Sequence, residues 1–150
     1  MNSLGESRFE HELIEDYQDG EVIFHENDTS RDLYIVQSGC VSIEKQTAKG
    51  RFKIVEFNRG DFFGEMSLMQ SAPRSATAYA KGPTRLLLLK PAGFLLKIRR
   101  DPGFAFEMLQ QLSLRVKTSS EKFIEAVSKG RVSEDVAQEF LNSSLGDKKE

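Results

Sequence analysis

The chain has 150 residues, of which 29% are charged and 39% hydrophobic, and its formal net charge is −2. This length suits a single domain with a buried core, and the near-neutral balance supplies no overall basic field to attract nucleic acid or an anionic membrane. A single cysteine, Cys40, excludes an internal disulfide, and the first residues lack the apolar run of a signal peptide or membrane span. We therefore expect a soluble, cytoplasmic protein.

The first two thirds of the chain predict a short helix followed by strands. Residues 6–17 place Phe9, Leu13 and Ile14 near helical spacing, which predicts a short N-terminal helix. Between residues 19 and 90, β-rich runs follow one another at intervals of about eight to twelve residues. Turn residues separate the runs, among them Ser38-Gly39 and Gly82-Pro83. These runs are EVIF, LYIVQS, CVSIEKQ, RFKIVEF, SATAYA and RLLLLK. They predict an antiparallel β-barrel or sandwich.

Beyond residue 90 the pattern becomes helical. Pro91 begins a helix that ends near residue 99, the DPG sequence at 101–103 interrupts it, and a longer helix follows at 104–128. Ser133 is the expected N-cap of a last short helix at 133–142, which is followed by a tail. This helix carries apolar side chains on one side, Val136, Phe140 and Leu141.

The long helix carries a seam of mostly apolar residues spaced alternately four and three apart. Its members are Ala105, Leu109, Leu112, Val116, Ser119, Phe123 and Ala126. This is the spacing of a coiled-coil seam, so helix 104–128 predicts a homodimer. Ser119 is the polar member, and on this evidence it either sets the register of the coil or contacts a ligand.

The sequence FFGEMSLMQSAPRSATA at 62–78 contains the main candidate for a binding site. It places Glu65 and Arg74 in a stretch without other charges. Arginine can donate two parallel hydrogen bonds to a phosphate, and the small residues Ser75 and Ala76 let the backbone approach it. A carboxylate only accepts hydrogen bonds, so Glu65 needs a hydroxyl partner. A ligand that satisfies both is a nucleotide or a phosphosugar, and the alternative is a structural ion pair between the two residues.

This segment resembles the phosphate-binding cassette of cyclic nucleotide-binding domains, a family of antiparallel β-rolls with flanking helices. The cassette pattern of Phe-Gly-Glu, then an aliphatic residue, Ser, Leu, a loop and Pro-Arg with small residues is present throughout. The resemblance extends over about residues 19–128 and includes turn glycines of the roll. It departs at Asn27, where the family commonly has glycine, and Asn tolerates the same left-handed turn. The resemblance implies a jelly-roll-like β-roll domain at 1–128, with a short C-terminal helix and tail at 129–150.

The resemblance also implies roles for individual residues. Glu65 would bind the ribose 2′-hydroxyl and Arg74 the phosphate oxygens. The other residues expected to bind the ligand in the cassette are Gly64, Met66, Ser67, Ser75 and Ala76. The sequence QLSLRVKTSSEKF resembles the dimer helix of bacterial catabolite activators, which places Ser119 and Ser120 at the positions that reach the adenine, one of them across the dimer.

We therefore expect a stand-alone, bacterial-type sensor that binds cyclic AMP in preference to cyclic GMP. The preference follows from the likeness at Ser119 and Ser120 and from Ser75, where threonine commonly accompanies cyclic GMP in the family. The other hypotheses are a sensor of another nucleotide and a ligand-free β-roll that serves as an interaction scaffold. About twenty-two residues follow position 128, too few for a DNA-reading helix-turn-helix, so we expect an unknown effector protein as the partner. Neither a metal site nor a paired nucleophile and base is evident, so we expect no enzyme.

Overall fold

The computed structural model describes residues 12–136, 138 and 139. In this part of the chain there are six strands, three helices with defined bounds and a further helical segment after residue 133. The strands are β1 (Glu12–Tyr17), β2 (Val22–Phe24), β3 (Leu33–Thr47), β4 (Gly50–Asn58), β5 (Phe62–Phe63) and β6 (Thr77–Leu89). The helices are α1 (Glu65–Gln70), α2 (Pro91–Arg100) and α3 (Pro102–Ser128).

All six strands belong to one antiparallel sheet. Its order is β1-β6-β3-β4, with β2 pairing with β6 and β5 pairing with β3. The central pair, β3 with β6, extends from Leu33 opposite Leu89 to Glu44 opposite Thr77, with register shifts in the middle of the two strands. The predicted fold class, mainly antiparallel β with flanking helices, is confirmed.

The helix predicted for residues 6–17 is wrong from residue 12 onward. Residues 12–17 form strand β1, which pairs with β6 from Glu12 opposite Leu89 to Tyr17 opposite Thr84. Leu13 and Ile14 are exposed and do not form the buried stripe of an amphipathic helix. A short isolated helix is marginal in water, whereas β6 offers a row of backbone partners along this edge, so the tertiary pairing decides the conformation. Residues 6–11 lie outside the described residues.

Two pairs of predicted strands are continuous. The turns expected at Ser38-Gly39 and Gly82-Pro83 are irregularities inside β3 and β6, where the register shifts. Gly39 has φ +87°, and a Cβ there would lie 2.4 Å from the carbonyl oxygen of Pro83. The buried Thr84 hydroxyl donates to the carbonyl of Cys40 at 3.0 Å and accepts from its N–H at 3.3 Å. The chain therefore changes register here without leaving the sheet.

The core of the sheet is apolar and rich in aromatic side chains. Its buried members are Phe24, Tyr34, Val36, Val41, Phe63, Ala78, Leu86 and Leu88. The rings of Tyr34 and Phe63 stack with centroids 5.1 Å apart, and Phe24 lies against both. This aromatic cluster includes Phe63 of β5 and so lies at the start of the segment that connects β5 to β6.

The predicted helices at 91–99 and 104–128 are confirmed with small shifts at their ends. Asp101 alone separates α2 from α3, and its carboxylate accepts a hydrogen bond from the N–H of Phe104 at 3.2 Å. The ring of Phe104 packs edge-on against Phe94 of α2. No helix in the described part of the chain is long and apolar enough to cross a membrane.

The chain divides into two compact units, Met1–Ala105 and Phe106–Glu150. In the second unit, residues 134–136 and 138–139 are helical, and the Ser133 hydroxyl accepts from the N–H of Val136 at 3.2 Å. This is the predicted N-cap. Phe140 and Leu141 lie outside the described residues.

Candidate ligand-binding site

The segment between β5 and β6 turns sharply at both ends of the short helix α1. Gly64 precedes α1 in the left-handed conformation with φ +86°, and Ser71 follows it with φ +54°. Phe62 and Phe63 of β5 are buried and anchor the start of the segment, while β6 begins at Thr77. Because the two ends are fixed in the same sheet, the residues of α1 and those around Arg74 face one another across a cavity.

This cavity has a volume of about 200 Å³. Seven of the nine residues predicted to bind the ligand line it, namely Gly64, Glu65, Met66, Ser67, Arg74, Ser75 and Ala76. The remaining walls are Phe24, Ile43, Val55, Phe57, Phe63, Ala72 and Pro73. Glu65 and Arg74 therefore line the same cavity, and part of its wall is apolar.

Arg74 is held in place by the protein itself. Its side chain is buried, with 2% of the residue exposed. Its Nη2 donates to the carbonyl of Asp32 at 2.8 Å, its Nη1 to the carbonyl of Gly64 at 3.0 Å and its Nε to the Ser30 hydroxyl at 3.2 Å. Each guanidinium nitrogen thus has one acceptor, and none of these three bonds involves Glu65.

The charge of Arg74 sits among uncharged acceptors and aromatic rings. The carbon of its guanidinium lies 4.3 Å from the centroid of Phe24 and 5.8 Å from that of Tyr34. Burial lowers the pKa of Arg74 from its ordinary value, opposed by the nearby Tyr34 and by three carboxylates that include Glu65. An arginine keeps its charge in spite of such a shift, so an anion that enters the cavity gains an attraction that water screens little.

Position 64 requires glycine for two reasons, its positive φ and its close contact with Arg74. A φ of +86° strains any residue with a Cβ, and a Cβ here would lie 2.7 Å from Nη1 of Arg74 and 3.0 Å from the carbonyl oxygen of Asp32. The absence of a side chain at Gly64 lets Arg74 pass directly beneath the start of α1.

Comparison with known proteins agrees with this geometry. The family model described as "Cyclic nucleotide-binding domain" matches residues 14–101. The chain belongs to the cyclic nucleotide-binding domain family.

Relatives of the chain include a receptor protein and a protein kinase subunit. The chain is 35% identical over 102 residues to the Cyclic AMP receptor protein of Thermus thermophilus, a match that covers 67% of this chain and 47% of the relative. It is 35% identical over 75 residues to a cAMP-dependent protein kinase regulatory subunit of Hypocrea atroviridis, covering 50% of this chain and 15% of that subunit. The crystal structure of the Thermus thermophilus Catabolite Activator Protein superposes with a TM-score of 0.68 at 29% identity, over 85% of this chain and 60% of that one. The chain thus spans about half the length of the receptor protein and a smaller share of the kinase subunit.

Two of the nine predicted binding residues of this cyclic nucleotide-binding domain lie elsewhere in the chain. Ser119 and Ser120 are on α3, in the second compact unit. Ser120 lines a different cavity of about 510 Å³, formed by α3 and by the helical residues near its end. The other members of that lining are Phe123, Ile124, Val127, Ser128, Glu134 and Gln138.

Sequence reasoning missed the apolar wall of the cavity and the segment that holds Arg74. Ile43 of β3 and Val55 of β4 are opposite each other in the sheet, and both line the cavity. Alternation along the two strands places them on one face, but only the packing reveals that this face borders a binding site. Ser30 and Asp32 carry no motif, because what they contribute is one hydroxyl and one backbone carbonyl.

Proposed function

We propose that this cyclic nucleotide-binding domain is a sensor of a cyclic mononucleotide, with cyclic AMP as its preferred ligand. The observation that supports this most strongly is the buried, preorganised Arg74 in a cavity that Glu65 also lines. Preorganised donors gain more from an anion than mobile ones, since no ordering cost remains to be met on binding.

The donors of Arg74 suit two phosphate oxygens. A guanidinium has five N–H groups, and three of those in Arg74 donate to the protein. These three bonds leave one N–H on Nη1 and one on Nη2, and two such groups on one guanidinium can make a bidentate contact with a phosphate. Charge-assisted hydrogen bonds of this kind contribute about 1.5–3 kcal/mol each.

The cavity also suits the rest of a nucleotide. Glu65 can accept a hydrogen bond from a ribose hydroxyl, whereas a carboxylate on its own would repel a phosphate. Ile43 and Val55 offer apolar contact to the flat faces of a sugar or base. A ligand that carries a phosphate, a hydroxyl and an apolar face within one small molecule satisfies all three.

The size of the cavity suggests that a further element covers the ligand. Its volume of about 200 Å³ is below the ~300–1,000 Å³ of pockets that enclose drug-sized ligands. We propose that Ser119 and Ser120 of α3 supply the missing contacts to the base, one within the chain and one across a homodimer. Binding would then favour the helix arrangement that completes the site, and so shift the population that an effector protein recognises.

The preference for cyclic AMP draws support from the names of the two relatives, which refer to cyclic AMP, and from Ser75. Signalling would pass through α3 and the helical residues after Ser133 to a protein partner. We propose a role in binding and not in catalysis, in the cytoplasm, without direct contact to DNA or membrane.

The experiment compares Glu65→Gln with the wild type by calorimetric titration of cyclic AMP and its 2′-deoxy analogue. We expect the wild type to bind cyclic AMP at least about tenfold more tightly than the analogue, because one hydrogen bond to a charged group is lost. Glu65→Gln should remove most of this difference while binding the 2′-deoxy analogue as the wild type does. Cyclic GMP and 5′-AMP complete the series, and nucleotide analysis afterwards detects hydrolysis.

Glu65 is a better target than Arg74 for this test. The sequence alone suggests that Arg74→Leu abolishes binding with little change in the melting temperature. In the structure the arginine also satisfies the carbonyls of Gly64 and Asp32, so its removal would destabilise the unliganded domain as well. Glu44→Gln is the matched control, since Glu44 lies on β3 and pairs with Arg51 away from the cavity. If the wild type binds none of the nucleotides, the sensor hypothesis is refuted and the ligand-free interaction scaffold is favoured instead.

A further inference from the structure

Arg31 contacts the helix that carries the binding residues, although it does not line the cavity. Its Nη2 donates to the carbonyl of Leu68 at 2.8 Å, and its Nε to the carbonyl of Ser67 at 3.4 Å. The acceptors belong to Ser67 and Leu68, the two middle residues of the six-residue α1, and both residues are buried. The cationic side chain of Arg31, from the loop between β2 and β3, therefore supplies hydrogen-bond donors to two carbonyls of α1.

Helix α1 depends on such contacts because it is short. It has six residues, and isolated helices below about 12–15 residues are marginal in water. The last four carbonyls of any helix have no partner within it, and Ser67 and Leu68 belong to these four in α1. The last turn of α1 contains no basic residue, so Arg31 supplies the positive charge that complements the C-terminal end of the helix dipole.

The same short loop also holds Arg74. The Ser30 hydroxyl and the Asp32 carbonyl accept from its guanidinium, and the carbonyl of Asp28 accepts from its backbone N–H at 2.8 Å. Ser30 and Asp32 thus hold Arg74 on one side of the cavity. Arg31, between them in the sequence, contacts α1 on the other side. The distance between the carboxylate of α1 and the guanidinium of Arg74 depends on this loop.

We propose that Arg31 is a positioning residue of the ligand site, which holds α1 so that Glu65 and Ser67 face Arg74 across the cavity. This inference rests on the proposed function of nucleotide binding. It predicts that loss of the Arg31 side chain loosens α1 and weakens nucleotide binding while the sheet keeps its stability.

The test uses Arg31→Ala and Arg31→Lys in the full chain, with cyclic AMP as the probe. We expect Arg31→Ala to weaken binding of cyclic AMP about 5- to 10-fold, since it removes charge-assisted hydrogen bonds at an exposed side chain. In the ligand-free protein, the amides of α1 should exchange with solvent about tenfold faster, while amides in β3 and β6 keep their rates. Arg31→Lys should restore part of both effects, because lysine keeps the charge and one donor without the planar fork.

The matched control is Arg85→Ala, which removes an exposed arginine that binds Asp16 at the far edge of the sheet. It should change neither the binding nor the exchange of α1. If the amides of α1 in Arg31→Ala exchange at the wild-type rate, the inference is overturned. It is also overturned if exchange becomes faster by the same factor in α1, β3 and β6. Unchanged binding of cyclic AMP by Arg31→Ala would also overturn it and leave the proposed function intact. A wild type that does not bind cyclic AMP would refute the proposed function, and the exchange rates would still decide whether Arg31 holds α1.

Discussion

Replacing Gly64 with alanine tests whether the close approach of Arg74 to the start of α1 matters for ligand binding. The added Cβ would lie 2.7 Å from Nη1 of Arg74 and 3.0 Å from the carbonyl oxygen of Asp32. Both are closer than a carbon can approach without displacement. Arg74 must therefore move, and its hydrogen bonds to the Gly64 and Asp32 carbonyls must weaken.

The expected magnitude has two parts. A residue with a Cβ in the left-handed region costs about 1–2 kcal/mol relative to glycine. Weakening of a hydrogen bond from a charged donor adds about 1–2 kcal/mol, somewhat below its full worth. Gly64→Ala should therefore lower the free energy of unfolding by about 2–4 kcal/mol and weaken cyclic AMP binding about 10- to 100-fold, because the phosphate donors no longer point correctly.

Gly20→Ala is the matched control. Gly20 has a similar φ of +82°, but a Cβ there meets nothing within 4 Å. It should lose about 1–2 kcal/mol of stability through the backbone alone and bind cyclic AMP within a factor of about three of the wild type. Urea unfolding measures the first quantity and calorimetric titration the second. Equal effects of the two substitutions on binding would refute the reasoning about Gly64 and Arg74.

Three further predictions concern the dimer, the sheet and pH. The double substitution Leu112→Lys and Val116→Lys should prevent dimerisation, which sedimentation velocity measures. A wild type that is monomeric with and without ligand would contradict the prediction that α3 forms a coiled-coil seam. Thr84→Val should lower the free energy of unfolding in urea by about 1–3 kcal/mol, because the N–H of Cys40 loses its hydroxyl acceptor, and an unchanged value would contradict this role. Hydrogen bonds from two lysines lower the pKa of Glu56 from 4.5 to about 2, so its NMR titration midpoint should lie near 2. A depressed pKa means that these pairs support the fold above about pH 4.5 and cease to do so as the pH falls toward 2, and a midpoint above 4 would exclude them.

Several features of the fold followed from local patterns in the sequence. The β-rich runs, Pro91 and the seam of α3 predicted the order and type of most elements, because strand and helix periodicity depend on neighbouring residues. The predicted turns at Ser38-Gly39 and Gly82-Pro83 were wrong for a different reason. Glycine permits positive φ in a turn and in an irregular strand alike, so the local signal does not separate a chain reversal from a register shift.

The N-terminal segment shows how tertiary pairing overrides a local preference. Residues 12–17 are compatible with a helix by spacing, yet they form β1 because β6 leaves a row of backbone groups to pair with. That row exists only once β6 itself lies beside β3. No window of sequence around residue 14 contains this information.

The sequence by itself determined which residues of the cassette belong together, from Gly64 to Ala76, because their chemical types and spacing form a recognisable pattern. Only the tertiary structure decided what holds them. Arg74 is fixed by a hydroxyl and two backbone carbonyls, and α1 is fixed by Arg31 from a loop more than thirty residues earlier in the chain. Every residue has a backbone carbonyl, so such partners leave no trace in residue types. They become visible only when the folded chain brings them within hydrogen-bonding distance.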